Sequence, residues 1–537
     1  MRKEHMGMDQ PTQEQPKSGL SKKTLAIIFG LLLIIGGSVT AYILLDQTTK
    51  EKYFSAEKET LDFLGEQFEE KFKLESAWSE KTSEQASKSE HRMNVRLGEA
   101  DLGGGHVGGF NTLDLLSNAT LLFDIQRDPN EKAVALHLGV DFANMDLGNI
   151  GATVSEHDLY VELPFTEDIL HIQDSEINEL LYEIDPYTFS EPDPIDFDSL
   201  FDVFSNDLFA DDDMEYLQEE YIEYMYDELP ETAFEEENDS IEVHGKKIKA
   251  NKITFHLTED ELKTLLEDVL RKLTNDDRVK EMVTDVLESE LSITDSMSPG
   301  DQELMDEILQ DFETTLKQIR LSIPAIEIPD GFTSTIWVDK KKVVQRDISF
   351  QARADEHTEF SLAIAGSHLL EDEQQQFDID FTVDNGYEEN VLNVSGELNW
   401  KDKKGEDHIT IQSGPIELTY EANEAVVDKA TKEFDRSLHF TDGSENFGLN
   451  WSGDATYKKE QMESSHTFSF IDDGIQDHVQ ILLDKKGSLI KEVPVPSSDN
   501  IVSIGEMEMF EIDMYMEKLA NEFEQWIQQI SGGFLGF

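Results

Sequence analysis

The amino-acid sequence predicts an α+β protein with large curved antiparallel β-sheets in two β-rich halves, amphipathic helices packed on them, and one N-terminal transmembrane helix. Three observations lead to this class. Residues 24–45 are apolar and uncharged, two long regions alternate apolar and polar residues as strands do, and other segments repeat apolar residues every three or four positions. At 537 residues, the chain is long enough for more than one sizeable core.

The parts follow one another in a definite order. The predicted divisions are a cytoplasmic tail (1–23), a transmembrane helix (24–45), a helical stalk and linker (46–90), a first β-rich half (91–165), an acidic helical insert (166–240), a strand and helical block (241–330), a second β-rich half (331–500), and a C-terminal amphipathic helix and tail (501–537).

Residues 24–45 would cover about 33 Å as a helix, enough to cross a bilayer core. Lys22 and Lys23 precede the segment, so the positive-inside rule predicts a cytoplasmic N-terminus and an extracytoplasmic bulk. A cleaved signal peptide is the alternative, but the apolar run continues well past the small residues Gly36 and Gly37. We therefore expect a single-pass protein of the cell membrane.

The stalk and the first β-rich half carry simple patterns. Leu61, Leu64, Phe68 and Phe72 form one apolar helical stripe, whereas residues 79–90 are polar and suit a linker. Two hairpins are then expected, one over residues 121–140 around Asp128-Pro129-Asn130 and one over residues 152–163.

Charge is the strongest compositional signal. The chain has 44 Lys and Arg against 115 Asp and Glu, a net charge of −71, which excludes nucleic acid as a partner. Residues 133–245 hold 33 acids and no Lys or Arg. Interleaved aromatic residues predict that this acidic insert forms short docked helices. The acidity has two open explanations, a surface adapted to strong salt or an insert that faces cations or a partner.

Calcium is the cation that the insert suggests. The densest oxygen donors are Asp207, Asp211, Asp212, Asp213 and Glu215. Their spacing lacks the EF-hand pattern, so they predict only weak, diffuse calcium binding. No other cofactor is expected.

The helical block and the second β-rich half follow. Residues 258–273 predict a helix opened by a capping box of Thr258 and Glu261, with further helices near residues 279–287 and 301–319. Beyond residue 331, strands alternate with charged turns such as Lys340-Lys341-Lys342.

The C-terminal segment repeats apolar residues with 3-4 spacing from Met509 to Ile530. This spacing fits either a coiled-coil seam or a helix laid on a sheet, and we favour the latter.

Catalytic chemistry has no signature in the chain. The 14 histidines are scattered, there is no cysteine, and no nucleophile-elbow or P-loop motif is present. We therefore predict no catalytic residues, no cofactor-binding residues and no enzymatic activity.

Several stretches resemble uncharacterised single-pass membrane proteins of Gram-positive bacteria, grouped as a domain of unknown function. The matching stretches are KKTLAIIFGLLLIIGG, EKETLDFLGEQFEEKF, SEHDLYVELPFTEDIL, HGKKIKANKITFHLTEDELKTLLEDVLRKLTNDDRV and TSTIWVDKKKVVQRDISF. The last stretch is also similar to the strand pairs of lipoprotein-carrier half-barrels, in which a curved sheet wraps helices around an apolar cavity.

This resemblance implies a membrane-anchored extracytoplasmic binding or structural module of the cell envelope, whose half-barrel would hold a lipid or an apolar segment. The implied partners are the membrane, through residues 24–45, and a lipid or envelope protein. Two alternatives are kept open, a surface sensor or accessory subunit of a signalling complex and a cell-wall hydrolase.

Overall fold

One 20-stranded sheet organises the chain, with a separate two-stranded ribbon beside it. The computed structural model describes residues 48–97, 106–107, 110–111, 117–142, 145–155, 157–184, 211–284, 301–355, 358–472, 475–497 and 500–534.

The strands are β1 (Ser87–Leu97), β2 (His106–Val107), β3 (Phe110–Asn111), β4 (Ala119–Asp128), β5 (Ala133–Phe142), β6 (Met145–Ser155), β7 (Asp158–Glu162), β8 (Ile169–Gln173), β9 (Phe234–Val243), β10 (Lys246–Leu257), β11 (Phe332–Asp339), β12 (Lys342–Asp355), β13 (Thr358–Leu370), β14 (Gln374–Asp384), β15 (Glu389–Lys401), β16 (Lys404–Ser413), β17 (Ile416–Val426), β18 (Thr431–Thr441), β19 (Asn446–Tyr457), β20 (Gln461–Asp472), β21 (Ile475–Leu489) and β22 (Ile501–Ser503). The α-helices are α1 (Thr49–Lys71), α2 (Lys73–Glu84), α3 (Asp174–Ile184), α4 (Asp211–Leu217), α5 (Tyr224–Glu228), α6 (Glu259–Thr274), α7 (Asp301–Ser322) and α8 (Met509–Phe534).

The strand order shows how the two predicted halves meet. Strands β9 to β21 form a meander, β1 pairs with β21 on one side and with β4 on the other, and β4 to β8 continue outward. All these pairs are antiparallel, and only the last described pair, β8 with β22, is parallel.

The predicted fold class is therefore wrong in its main point. The two β-rich halves are one sheet, because β1 hydrogen-bonds to strands of both, and few helices accompany it. Which distant strands pair depends on contacts across hundreds of residues, and such contacts leave no local pattern in a sequence. The predicted transmembrane helix of residues 24–45 lies outside the described residues.

Several local predictions are confirmed. Thr258 caps α6 and forms a reciprocal capping box with Glu261, as the sequence pattern requires. The hairpin around Asp128 is β4–β5, and residues 152–163 lie in the β6–β7 hairpin. The lysine turn joins β11 to β12, with positive φ at Lys340 and Lys341.

A filled core lies at the β9 end of the sheet. Strands β9 to β13 curl so that Lys246, the first residue of β10, pairs with Glu371, which follows β13, at 2.7 Å. Helices α1, α6 and α7 enter this curl, and Phe255 and Phe332 are fully buried in it. The predicted half-barrel cavity for a lipid is therefore wrong, since core side chains occupy the interior.

The part of the acidic insert at residues 211–228 docks on this core, as the sequence predicts, while residues 185–210 lie outside the described residues. A helical stretch over residues 211–228, π-helical at Gln218–Glu223, buries Tyr221 and Met225. The hydroxyls of Tyr216 and Tyr221 donate to Asp276 at 2.7 and 2.6 Å. Docking through aromatic rings explains how so acidic a segment is ordered.

Helices α1 and α2, which we call the rim helices (residues 49–84), run along one border of the sheet. Near the core, Val343 of β12 donates its backbone N–H to Thr60 at 2.8 Å. Farther along, Lys71 pairs with Asp407 of β16, and Trp78 packs over Gly487 of β21. Residues 79–90, predicted as a linker, are helix to Glu84 and strand from Ser87.

Helix α8 lies at the other end of the sheet. Ile512 and Leu519 are buried, whereas Met516 and Phe523 are exposed. Tyr515 donates to Asp168 at 2.9 Å, and Lys518 pairs with the same carboxylate. The helix is thus tied to the segment that precedes β8.

Candidate functional site

The middle of the sheet has one apolar face and one polar face. Strand register carries each face across neighbouring strands, since side chains directly opposite each other point the same way. One apolar row contains Ile379, Val394, Ile411, Leu418, Phe440 and Phe447, and the next contains Phe377, Ile409, Tyr420, Leu438, Leu449 and Phe470. The corresponding row on the other face contains Asp378, Ser395, Thr410, Thr419 and His439.

The apolar face continues into the other predicted half. Trp451 lies opposite Phe468, Phe468 opposite Ile481, and Ile481 opposite Val95 of β1. Met93 then lies opposite Leu121 of β4. We call this surface, from β14 to β21 and on through β1 to β4, the apolar trough.

Much of the trough floor is open to solvent. Leu438 is 37% exposed, Phe440 39% and Phe447 47%. Ten strands about 4.8 Å apart give a length of about 45 Å, and some five residues per strand give a width of about 16 Å. The outline of the floor is therefore about 700 Å², and exposed apolar surface makes up part of it. Such a surface is typical of a site that receives an apolar ligand or partner.

The rim helices form a wall along one side of this floor. Their 23 and 12 residues span about 52 Å at 1.5 Å per residue. The twelve strands from β12 to β4 span about 53 Å at the usual strand spacing. Contacts with β12, β16, β18 and β21 place the helices along this side, whereas Phe440 and Phe447 on the floor are exposed.

Packed side chains cover part of each end of the trough. At the β14 end, Ile379 and Phe381 pack against the filled core. At the other end, Ile177 of α3 packs on Val134, Val154 and Leu159. Beyond β4, Leu138 and Ile150 continue the same face and are 42% and 52% exposed, so the apolar surface extends past this end.

One cluster of charged residues on the apolar face lies under the rim helices. The carboxylate of Glu424 is fully buried and accepts from Nε of Arg436 at 2.8 Å. The Lys432 ammonium lies 2.7 Å from Glu75 of α2. Burial would raise the pKa of Glu424, but Lys432 and Arg436 together hold it below its usual value. These ion pairs fix the wall to the sheet.

A second concavity lies on the polar face. It has a volume of about 1080 Å³ and is lined by Glu90, Arg92, His137 and Lys486 among others, with Pro494 and Pro496 as one wall. Buried Val493 packs on Ala133 and Ala135 and holds that wall in place. The two faces of the same strands thus offer opposite chemistry.

The predicted calcium donors do not assemble in the part of the chain that the structure describes. Asp212, Asp213 and Glu215 lie on α4, where Asp213 pairs with Arg278 at 2.6 Å. Asp207 lies outside the described residues, and Asp211 begins the helix. Among the described residues, no group of three or more His, Asp or Glu side chains could hold a metal ion. Weak calcium binding stays a prediction.

Known proteins show little similarity to this chain. No family model and no curated protein matches the chain. Among solved structures, OccK11 (OpdR) of Pseudomonas aeruginosa is similar at TM-score 0.22 and 5% identity, over 75% of this chain and 94% of that one. A BenF-like porin of Pseudomonas fluorescens Pf-5 gives 0.24 and 6%, over 76% and 98%. Outer-membrane OmpT of Vibrio cholerae gives 0.19 and 7%, over 75% and 96%. At such TM-scores the likeness supports no statement about the fold or activity of this chain.

These findings correct the predicted identity. No family model and no curated protein supports the Gram-positive single-pass family, and one 20-stranded sheet takes the place of the predicted two-halved module. The predicted family is therefore wrong, and so are the single-pass topology, the cell-membrane localisation and the anchored binding or structural module that depended on it.

Within the described residues, no helix combines the length and the apolar character needed to cross a membrane.

The apolar trough was missed by sequence reasoning although its signal was present. Within one strand, the apolar residues Leu392, Val394, Leu398 and Trp400 occupy alternate positions of one parity. Had the same parity been followed through every hairpin from β14 to β21, one continuous apolar face would have appeared. The continuation of this face into β1 and β4 could not have been found, because the pairing of β1 with β21 joins residues almost 400 positions apart.

Proposed function

We propose that the protein transports amphipathic molecules with long apolar chains, which lie lengthwise in the apolar trough. The observation that carries this proposal is the open apolar face of ten strands, walled on one side by the rim helices. Burial of an apolar chain there would gain about 25 cal/mol for each Å² removed from water.

The dimensions favour an extended chain over a compact ligand. A bilayer core of about 30 Å holds two chain lengths, so one acyl chain spans about 15 Å. The trough is about three times longer, and its width of about 16 Å leaves room for chains side by side. A floor built from aromatic and aliphatic side chains binds such chains without fixing their identity, which suits a carrier.

The proposed role is non-enzymatic and needs no cofactor. It also places the protein beside a membrane or another lipid store from which cargo is loaded, and this contact is part of the proposal. It differs from the corrected prediction of a half-barrel binding module, because the site is the exposed middle of the sheet.

The test uses the full chain and a pyrene-labelled long-chain alcohol, which carries no charge. Donor vesicles containing the probe are mixed with unlabelled acceptor vesicles, and transfer is followed by loss of pyrene excimer fluorescence. We expect the protein to accelerate transfer, and Leu438→Asp to reduce the acceleration because it places a charge on the trough floor.

The matched control is His439→Asp, which introduces the same side chain one residue away on the polar face. It should transfer the probe like the original protein. If the original protein gives no acceleration, or if both variants behave alike, the proposal is overturned.

A further inference from the structure

Lys485 is a cation on the apolar face without an anionic partner among the described residues. It lies on β21 between Leu483 and Gly487 on the same face, opposite His91 of β1 and Ser464 of β20. Burial alone acts on the pKa of Lys485 and lowers it, and no described carboxylate raises it.

Other cations on this face are paired. Lys71 pairs with Asp407, Lys432 with Glu75, and Arg436 with Glu424. Lys485 differs from these cations although acidic residues outnumber basic ones by 115 to 44 in the chain. A desolvated ammonium without a partner costs free energy, and proteins generally compensate such a charge with a counter-ion.

The neighbours of Lys485 add a hydrogen-bond donor. Nδ1 of His466 accepts from the Trp451 indole at 3.1 Å, so the proton of this imidazole is on Nε2. Nε2 then donates to the Ser464 hydroxyl at 2.9 Å. Because Ser464 accepts that bond, its own O–H is left to donate to a ligand.

His91 completes the group on the other side of Lys485. Nε2 of His91 lies 2.9 Å from Oγ of Ser89. Burial lowers the pKa of His91, and the charge of Lys485 lowers it further. An anion bound beside Lys485 would raise the pKa of His91 and so oppose both effects.

We propose that Lys485, flanked by Ser464 and His91, binds the oxyanion headgroup of the transported chain. This inference rests on the proposed function and names its cargo as an acidic amphiphile. A carboxylate and a phosphate share the required chemistry, a negative oxygen that accepts charge-assisted hydrogen bonds. The apolar tail would extend from the headgroup over Leu483 and Phe468 along the floor.

The overall charge of the protein cannot produce a preference for acidic probes. The net charge of −71 repels an acidic probe from the protein as a whole. A preference for an acid over an alcohol with the same chain must therefore come from a local cation.

The experiment measures binding to the full chain by fluorescence titration with three pyrene-labelled probes. These are a long-chain alcohol, the fatty acid of the same length and a phosphatidic acid. Lys485→Met should weaken binding of the acidic probes by about 10-fold or more while leaving the alcohol unchanged. Lys485→Arg should restore much of the loss because it keeps the charge.

Lys486→Met is the matched control, since it removes the same charge one residue away, where strand alternation places it on the polar face opposite Glu463. It should leave binding of all three probes unchanged. The fatty acid and phosphatidic acid arms show which headgroup is preferred, and a selective loss for either one upholds the site.

Two results would overturn the inference. One is an equal effect of Lys485→Met on acid and alcohol, and the other is an equal loss in Lys486→Met. If the original protein binds acids and alcohol equally well, the transport proposal survives and the headgroup site does not. If it binds no probe, the transport proposal itself fails.

Discussion

The Lys432 ammonium lies 2.9 Å from Oε2 of Glu424 across the β17–β18 pair, with the two side chains 1% and 0% exposed. It is an ion pair rather than an aligned hydrogen bond. Arg436 engages the other oxygen of Glu424, and Glu75 of α2 engages Lys432. The relationship links the sheet to the wall of the trough, so it controls whether that wall stays in place.

Replacing Glu424 with Gln should destabilise the protein strongly. The change leaves two buried cations facing a neutral amide, and breaking a buried pair in this way costs about 3–5 kcal/mol. Urea unfolding followed by tryptophan fluorescence measures the loss. Glu421→Gln, on the same strand but exposed, should shift the free energy of unfolding by less than about 0.5 kcal/mol. Similar losses in both variants would mean that the buried network does not hold the wall.

The same carboxylate should make stability depend on pH in a defined direction. Its pKa is lowered in the folded protein relative to 4.5, so its contribution is complete above pH 4.5. The contribution is lost as pH falls through the folded pKa. The difference in melting temperature between the original protein and Glu424→Gln should therefore narrow below about pH 4.5. A difference that stays constant down to pH 3 would contradict this assignment.

Two glycines on the wall and floor should respond oppositely to alanine. A Cβ at Gly487 would lie 2.8 Å from Cζ2 of Trp78, so Gly487→Ala should displace α2 and cost about 1–3 kcal/mol. Gly65 lies within α1 with nothing within 4 Å of its position for a Cβ. Gly65→Ala should therefore stabilise the protein by about 0.5–1 kcal/mol. Thermal unfolding of both variants measures the two effects. If neither substitution changes the melting temperature, the wall is only loosely attached to the sheet.

Without ligand, Lys485→Met should stabilise the protein at pH 7. Removal of a desolvated charge is favourable, and about 1 kcal/mol is expected. Since the Lys485 pKa is lowered in the folded state, the gain is complete below the folded pKa and disappears as pH rises to 10.5. Denaturant unfolding at pH 7 and at higher pH measures it. A loss of stability on substitution would show that Lys485 already has a favourable partner.

The sequence predicts local structure well because local structure depends on neighbouring residues. The capping box of Thr258 and Glu261, the lysine turn at residues 340–341 and the docked aromatic residues of the insert were all visible in short windows. The capping box and the turn depend on backbone geometry or side-chain chemistry within a few residues, and the docking of the insert follows from its high aromatic content.

The site could not be predicted as a whole because it depends on pairing between distant strands. His91 and Lys485 are directly opposite each other but almost 400 residues apart in the chain. The alternation within β15 showed that its strand had an apolar face, but not that ten strands would share it. Nor could it show that Lys485, unlike Lys432, would lie on that face without a carboxylate beside it.

Photo-crosslinking tests the central claim, that the open apolar face carries the cargo, most directly. A benzophenone amino acid is introduced at Leu438 on the trough floor or at His439 on the polar face. The full-length protein is then irradiated with a radiolabelled fatty acid. The account predicts crosslinks from position 438 and few from position 439. Equal labelling at both positions, or labelling at 439 alone, would contradict it.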